Sequence, residues 1–208
     1  MEELQDQFKL MLKKKSVSIL NKIFNEPITC LTAYSPGIAK LLDGLVDIIL
    51  IGDSLGSTLY GMKNSRGVTL DMMKVHGFAV IKKVSKSITI LDMPFNTYRN
   101  KSEALRNARL LLNYTKTNML KLEINNNIEI IKHLSERNIN VVAHIGVTPQ
   151  SYTDFSKIKA VGKKNNERNK LIELALESEK AGAKIIVLEC IFQKTAQEIT
   201  TLLQIPTI

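Results

Sequence analysis

The sequence is poor in the residues that mark several specialised protein classes. It has no tryptophan, two cysteines, five prolines and ten glycines among 208 residues, which excludes disulfide scaffolds and collagen-like or low-complexity chains. No apolar run approaches the ~20 residues that span a bilayer, so we expect no membrane partner. Glu2, Glu3 and Asp6 precede any long apolar stretch and argue against a secretory signal. We therefore expect a cytoplasmic protein in which Cys30 and Cys190 are buried, reduced thiols.

Clustered positive charge interleaved with aromatic residues is also missing. The chain has 29 Lys and Arg against 20 Asp and Glu, a net charge of +9, but only 5% aromatic residues. Its lysines are spread along the chain, and the longest basic run covers residues 13–15. This distribution predicts a solvated basic surface and no nucleic-acid partner, with attraction of anionic substrates as a milder functional alternative.

Short β-branched apolar segments alternate with amphipathic helical segments along the chain. The predicted strands lie at 28–34, 47–51, 87–91, 118–122, 140–143, 183–188 and 205–208. Their mean spacing is about 30 residues, the size of one βα unit, which predicts a parallel α/β sheet in one domain over residues 1–208. Within residues 1–27, Leu4, Phe8, Met11 and Leu12 predict an amphipathic helix. The alternation fits a doubly wound sheet and a (β/α) barrel equally well.

Ionisable residues follow the apolar segments at five of the predicted strand ends. They are Asp53, Asp92, Lys121 with Glu123, His144 and Glu189. A parallel sheet brings such ends to one rim, where α/β enzymes build their sites. Any one of them could be a solvated helix cap, but several converging carboxylates require a cation or shifted pKa values. Oxygen donors without a His or Cys pair favour Mg²⁺.

Other polar segments are weaker candidates. Ser54 lies in a strand-to-helix turn at 52–56 that has neither the lysine of a P-loop nor the setting of a hydrolase nucleophile. We expect His76 to be a surface or packing residue on a helix. Residues 148–151 by themselves indicate only a loop that leads to a helix start.

Six motifs occur in an order that resembles a known family. They are 31–34 (LTAY), 52–56 (GDSLG), 92–95 (DMPF), 121–123 (KLE), 144–151 (HIGVTPQS) and 188–190 (LEC). Together they resemble the 3-methyl-2-oxobutanoate hydroxymethyltransferases, from about residue 28 to residue 208. The resemblance implies a (β/α)₈ barrel of the phosphoenolpyruvate-mutase/isocitrate-lyase superfamily. It also implies transfer of a hydroxymethyl group from 5,10-methylenetetrahydrofolate to 3-methyl-2-oxobutanoate, giving 2-dehydropantoate in pantothenate and coenzyme A biosynthesis.

The same resemblance implies roles for individual residues. Three of them would hold Mg²⁺, directly or through water: Asp53, Asp92 and Glu123. Five would bind or line the site of the keto acid: Asp53, Ser54, Asp92, Lys121 and His144. Glu189 would be the catalytic proton acceptor. The substrates would be small molecules, and the family's decamers imply a homo-oligomer.

The sequence departs from the family pattern at three places. Ile124, Asn125 and Asn126 stand where the family usually has two glycines after the glutamate, which predicts a differently shaped loop. Arg66-Gly67 stands in place of Leu-Pro, which predicts a more flexible, more charged loop. Residues 205–208 fall in the predicted seventh strand, so we expect an incomplete barrel of about seven strands that lacks the family's last strand and helices.

Two alternatives to the hydroxymethyltransferase remain open from the sequence. The altered loops would also suit another Mg²⁺-dependent aldolase or lyase of the superfamily that acts on a different 2-keto acid. An open barrel would also suit a truncated homologue that is non-catalytic or depends on pairing with another chain, because unpaired strand edges invite such pairing.

Overall fold

The computed structural model describes residues 27–208, and these form a parallel sheet flanked by helices. The six strands are β1 (Cys30–Thr32), β2 (Ile48–Ile51), β3 (Ile88–Asp92), β4 (Met119–Glu123), β5 (Val141–Gly146) and β6 (Ile185–Glu189). Every strand pairs in parallel with the next one along the chain, in the order β1-β2-β3-β4-β5-β6. The sheet therefore winds in one direction, as in a (β/α) barrel, and does not reverse as a doubly wound sheet does. The predicted N-terminal amphipathic helix lies outside the described residues.

Within residues 27–208 there are seven α-helices, of which six lie between strands and the last follows β6. They are α1 (Pro36–Leu42), α2 (Leu55–Tyr60), α3 (Leu70–Ile81), α4 (Lys101–Thr115), α5 (Ile128–Ser135), α6 (Asn165–Lys180) and α7 (Gln193–Leu202). Thr69 and Asn100 are the N-cap residues of α3 and α4. The Thr69 side chain accepts a hydrogen bond from the Met72 amide, and the Asn100 side chain accepts one from the Glu103 amide. Within residues 27–208, no helix is both long and apolar enough to cross a bilayer.

Two apolar layers cover the two faces of the sheet. The larger layer lies between the sheet and the helices and includes Ile49, Leu91 and Leu120. The smaller layer lines the inner face and consists of Ile48, Ile88, Ile90, Met119, Val142 and Ile185. Because side chains alternate along a strand, the positions that continue the inner layer towards the carboxyl ends are Asp92, Lys121, Glu123 and His144. The inner face thus changes from apolar to ionisable along its length.

The prediction of seven strands is wrong by one. Residues 205–208 form a single parallel bridge between Thr207 and Ile186 and no strand. The Ile208 amide donates to the Ile186 carbonyl at 2.9 Å, and the Leu188 amide donates to the Ile208 carbonyl at 2.8 Å. Pro206 has no N–H to extend this ladder towards its amino end.

Candidate functional site

Strand register places the predicted ionisable residues side by side at the carboxyl end of the sheet. Asp92 on β3 pairs with Lys121 on β4, and Glu123 on β4 pairs with His144 on β5. Asp53 follows β2 directly after Gly52. All five residues are at most 6% exposed. The structure therefore brings together five of the seven residues that the sequence singled out.

Asp53 and Asp92 form the centre of this group. The backbone amide of Asp53 donates to Asp92 Oδ2 at 3.0 Å, and Lys121 Nζ lies 3.1 Å from Asp92 Oδ1. Burial, together with the neighbouring Asp92 carboxylate, raises the pKa of Asp53 to about 6. Burial also raises the pKa of Asp92, although the Lys121 ammonium acts in the opposite direction. Two acidic groups thus share one corner of the site and resist simultaneous ionisation.

Lys121 also contacts His144. Lys121 Nζ lies 3.1 Å from His144 Nδ1, and His144 Nε2 lies 2.9 Å from the Val147 carbonyl oxygen. Because a carbonyl oxygen only accepts, the hydrogen-bond network assigns the proton to Nε2 and leaves Nδ1 to accept from Lys121. Burial and the Lys121 charge hold the pKa of His144 well below its usual range, so the imidazole is neutral.

The site has more acidic groups than basic ones. Glu123 Oε1 is 3.8 Å from His144 Nδ1, and burial raises the pKa of Glu123 to about 8. Burial opposes the charge on Lys121, yet the carboxylates of Asp92, Asp53 and Glu123 hold its pKa above the ordinary value. One buried ammonium therefore faces three buried carboxyl groups, and the fold alone does not balance their charge.

The oxygen donors suit a hard divalent cation. In the described part of the chain, no three His, Cys, Asp or Glu side chains are gathered closely enough to form a complete metal cluster. Mg²⁺ does not require one, because it commonly binds one or two carboxylates and keeps waters or substrate oxygens in its other positions. The adjacent carboxyl groups of Asp53 and Asp92 fit that pattern, and a bound cation would favour the ionised forms that burial disfavours.

The two remaining predicted residues lie at the same rim but outside the buried group. Ser54 is exposed, and its Oγ is 2.7 Å from the Tyr34 hydroxyl. Glu189 is exposed at the end of β6, on the inner face by alternation with Ile185 and Val187. Its side chain makes no hydrogen bond or ion pair to any residue in the range 27–208.

The cysteine predictions had mixed outcomes. Both thiols are free, as expected, and burial together with Asp92 raises the pKa of the half-buried Cys30 to about 11. The expectation that Cys190 is buried is wrong. It follows the last residue of β6 in a left-handed conformation with φ of 52°, which leaves it outside the sheet and exposed.

Sequence reasoning missed Gln150, which is buried in the short 3₁₀ turn Pro149–Ser151. Its side-chain amide donates to Asp53 Oδ2 at 2.7 Å, and its backbone amide donates to Glu123 Oε2 at 3.0 Å. The Tyr98 hydroxyl donates to Gln150 Oε1 at 2.5 Å. The only signal in the sequence was its place inside the motif at 144–151, because a loop glutamine alone indicates no function.

The two altered loops make specific contacts. Ile124 is buried, and none of residues 124–126 has a positive φ, so this segment does not need the conformations that favour glycine. Asn125 Nδ2 donates to Ser151 Oγ at 3.1 Å. Arg66 donates from Nη1 to the Gln150 carbonyl at 2.8 Å and stacks 3.7 Å above the Phe95 ring.

A cavity of about 340 Å³ opens beside this group. Its walls come from the segments that follow β3, β4 and β5. The lining residues are Phe95, Asn96, Tyr98, Arg99, Glu123, Asn125, Asn126, Asn127, Gln150 and Ser151. Since Glu123 lines the cavity, a small molecule in it would reach one carboxyl group of the buried group directly, and Gln150 connects the cavity wall to Asp53.

Several known proteins with similar sequences carry the same name. The family model for ketopantoate hydroxymethyltransferase matches residues 14–208. The 3-methyl-2-oxobutanoate hydroxymethyltransferase of Pelagibacter ubique is 43% identical over 198 residues, covering 95% of this chain and 76% of the relative. The enzyme of the same name from Rhizobium etli is 42% identical over 185 residues, covering 88% of this chain and 68% of the relative.

Solved structures with a similar fold are more distant in sequence. A phosphonopyruvate hydrolase solved with oxalate and Mg²⁺ has a TM-score of 0.69 at 14% identity, covering 93% of this chain and 70% of that one. A 2,3-dimethylmalate lyase, a member of the PEP mutase/isocitrate lyase superfamily, has a TM-score of 0.68 at 14% identity with the same coverage. These matches confirm the barrel-type α/β fold, and the sequence matches show that the chain belongs to the ketopantoate hydroxymethyltransferase family.

Proposed function

We propose that this chain transfers a hydroxymethyl group from 5,10-methylenetetrahydrofolate to 3-methyl-2-oxobutanoate and so forms 2-dehydropantoate, a step towards pantothenate. The observation that carries the proposal is the buried group of Asp53, Asp92, Lys121 and Glu123 at the carboxyl ends of β2, β3 and β4. Such a group can bind a cation together with an anionic keto acid. The relatives at about 40% identity, all named for this reaction, support the same assignment.

The metal would be Mg²⁺, and Asp53, Asp92 and Glu123 would hold it, directly or through water. When bound, Mg²⁺ supplies Lewis-acid chemistry that polarises the keto group and acidifies the neighbouring C3–H. A phosphonopyruvate hydrolase of similar fold was solved with Mg²⁺ and oxalate, whose adjacent oxygens match those of a 2-keto acid. The excess of buried carboxyl groups over cations is the feature of this chain that supports a metal.

The remaining residues bind and orient the keto acid. Lys121 keeps a fixed positive charge beside Asp92, where negative charge would develop as C3 loses its proton. Neutral His144 accepts a hydrogen bond from Lys121 and restrains its direction. The Ser54 hydroxyl, held by Tyr34, would bind an oxygen of the keto acid at the exposed side of the site. These contacts would place C3 towards the inner face of β6.

Glu189 would accept the C3 proton. It lies on the inner face at the end of β6, and no group in the described chain competes for its carboxylate. Proton transfer requires hydrogen-bond reach of C3 in the complex, which apo structures often show only loosely. C3 would then form a bond to the one-carbon unit while the two C–N bonds that join this carbon to the folate break. One water molecule would supply the hydroxyl group, and its second proton and the proton taken from C3 would go to the two folate nitrogens.

The direct test is the complete reaction. The purified chain is incubated with 3-methyl-2-oxobutanoate, with the folate co-substrate present or omitted and with Mg²⁺ present or chelated. We expect 2-dehydropantoate only when the folate co-substrate and Mg²⁺ are both present. If the protein binds the keto acid to saturation but makes no folate-dependent product, another 2-keto acid aldolase or lyase would be favoured. Folded protein with no turnover would contradict the assignment.

The proton acceptor is tested separately by isotope exchange. We expect Glu189→Gln to lose solvent-deuterium exchange at C3 of the keto acid, measured by NMR, while the keto acid still binds. Glu129→Gln, at an exposed position on α5, is the matched control and should exchange normally. Unchanged exchange in Glu189→Gln would overturn the role of Glu189 and leave the metal proposal intact.

We also propose that the chain forms a homo-oligomer and acts in the cytoplasm, as the family resemblance implies. Sedimentation velocity of the purified chain tests the first statement, and fractionation of cells that express it tests the second. A monomer at micromolar concentration would contradict the oligomer.

A further inference from the structure

We propose that Gln150 is a positioning residue that sets the orientation of the Asp53 and Glu123 carboxylates and thereby tunes the affinity of this site for a divalent cation. The inference rests on the metal-binding part of the proposed function and not on the identity of the substrate. Gln150 is not itself a metal ligand in this proposal, because its side chain reaches the site through Asp53.

The side-chain amide of Gln150 has all of its hydrogen-bonding groups engaged. Nε2 donates to Asp53 Oδ2 at 2.7 Å and to the Met93 carbonyl at 3.0 Å, while Oε1 accepts from the Tyr98 hydroxyl at 2.5 Å. A carboxylate and a carbonyl oxygen only accept, so the amide nitrogen must face them and the amide cannot flip. The direction of the hydrogen bond to Asp53 is therefore fixed.

The same residue holds the second carboxylate through its backbone. The Gln150 amide N–H donates to Glu123 Oε2 at 3.0 Å, and the Glu123 amide N–H donates to the Tyr98 hydroxyl at 3.3 Å. These contacts close a ring that runs through Tyr98, Gln150 and Glu123. One residue thus fixes a carboxylate after β2 and a carboxylate on β4, although 97 positions separate Asp53 from Gln150.

Gln150 is held in place by the loops on either side of it. Arg66 donates to the Gln150 carbonyl at 2.8 Å, and the Ser151 amide closes the turn on the Thr148 carbonyl at 2.8 Å. Gln150 is only 5% exposed. A buried, doubly anchored residue can transmit a defined geometry to its partners, whereas a mobile loop residue cannot.

A neutral donor suits this position better than a cation. Hydrogen bonds from an amide stabilise ionised carboxylates without neutralising them, so the negative charge stays available to a metal. A lysine or arginine in the same place would compete with the cation for Asp53. Outer-shell hydrogen bonds of this kind typically change metal affinity by about 10–100-fold when they are removed.

The test measures binding of Mn²⁺ alone, by electron paramagnetic resonance, to the full chain without substrates. We expect Gln150→Met, which keeps the length of the side chain but removes its hydrogen bonds, to weaken Mn²⁺ binding by about 10–100-fold. Gln197→Met, at an exposed position on α7, is the matched control and should bind normally. Folded Gln150→Met with Mn²⁺ affinity within twofold of the wild type would overturn the inference.

A second variant keeps the test decisive if Gln150→Met does not fold. Tyr98→Phe leaves Gln150 in place and removes two hydrogen bonds, the one to Gln150 Oε1 and the weaker one from the Glu123 amide. We therefore expect a smaller weakening of Mn²⁺ binding, by about 2–10-fold. The double variant should bind no more weakly than Gln150→Met, because both changes act through one amide. Unchanged Mn²⁺ binding in Tyr98→Phe, or full additivity in the double variant, would overturn the inference.

Kinetics separate positioning from a general structural role. If Gln150 acts through metal affinity, saturating Mg²⁺ should restore most of kcat in Gln150→Met, whereas a distorted site would stay inactive at any Mg²⁺ concentration. A wild type that binds Mn²⁺ tightly and loses it on Gln150→Met, but makes no folate-dependent product, would support this inference and contradict the proposed reaction. A wild type that does not bind Mn²⁺ would overturn the inference itself.

Discussion

Asp43 and Asp53 stand close together in the sequence, but they lie at opposite ends of the sheet and their carboxyl groups have opposite surroundings. Asp43 follows α1 at the amino end of the strands, whereas Asp53 follows β2 at the carboxyl end. Comparing the two ends separates the interactions that stabilise this fold from those that serve its chemistry.

The amino end surrounds its carboxylate with donors. Asp43 accepts hydrogen bonds from Ser85 N, Ser85 Oγ, Lys86 N and Ser87 N at 2.8–2.9 Å. Slight burial opposes its ionisation, but the backbone amides of Ser87, Ser85 and Lys86 lower the pKa of Asp43 to about 2. Ionised Asp43 therefore stabilises the folded chain and ties α1 to the segment before β3.

The carboxyl end leaves its acidic groups partly uncompensated. Asp53 is buried beside Asp92, and its pKa rises to about 6. A pKa raised above its unfolded value means that stability present below about pH 4 is lost as the pH rises towards 6. The amino end thus favours the folded state, while the carboxyl end holds acidic groups whose ionisation a bound cation would favour.

The largest expected effect comes from removing Lys121, the only buried lysine among residues 27–208. We expect Lys121→Met to lower kcat/KM for the folate-dependent reaction by at least about 10²–10³-fold, as loss of one preorganised donor commonly does. Steady-state assays at saturating Mg²⁺ measure it. Lys184→Met, at an exposed position before β6, is the control at the amino end and should keep full activity. Equal losses in the two variants would remove the contrast between the ends.

The next effect separates activity from stability at the carboxyl end. We expect Asp53→Asn to lower kcat/KM by about 100-fold and to abolish the rise in unfolding temperature that Mg²⁺ gives the wild type. Without metal, its free energy of unfolding should equal or exceed that of the wild type, because a buried charge is gone. Thermal melts with and without Mg²⁺ measure both. Loss of stability in the metal-free variant would mean that Asp53 is a structural residue.

The matching change at the amino end should have the reverse outcome. We expect Asp43→Ala to lower the free energy of unfolding by about 1–3 kcal/mol, since backbone donors lose a charged acceptor that caps them. Its kcat and KM should equal those of the wild type at temperatures where both are folded. Urea unfolding and initial rates are the two measurements. A change in kcat without a change in stability would contradict the division between the two ends.

The smallest effect is a pH dependence confined to the amino end. Because the pKa of Asp43 is lowered to about 2 in the fold, its contribution is present above its ordinary value of 3.8 and is lost as the pH falls towards 2. We therefore expect the stability difference between the wild type and Asp43→Asn to be constant from pH 7 to pH 5 and to shrink below pH 4. Urea midpoints across this range measure it. If the stability difference instead disappeared above pH 6, a titratable group other than Asp43 would be responsible for it.

Much of the candidate site could be predicted from local sequence. Asp92, Lys121 and Glu123 follow or end apolar segments, and the parallel arrangement that their spacing indicated brings them to one rim of the sheet. Their side-by-side placement depends on the pairing of β3 with β4. Gln150 could not be found in this way, because its role depends on contacts with Asp53 and Tyr98 across the sheet. The exposure of Cys190 was missed because a strand that ends in a left-handed residue has the same apolar pattern as one that continues.

The sequence by itself determined the alternation of strands and helices, the apolar character of both sheet faces and the ionisable residues at the strand ends. These properties are local, since they depend on side-chain period and on the residue that follows each strand. Only the tertiary structure decided the sequential strand order, the single bridge at Thr207 and the network through which Gln150 links two carboxylates. Those features depend on which distant segments pack together, and burial then sets the pKa of Asp53 far from that of Asp43.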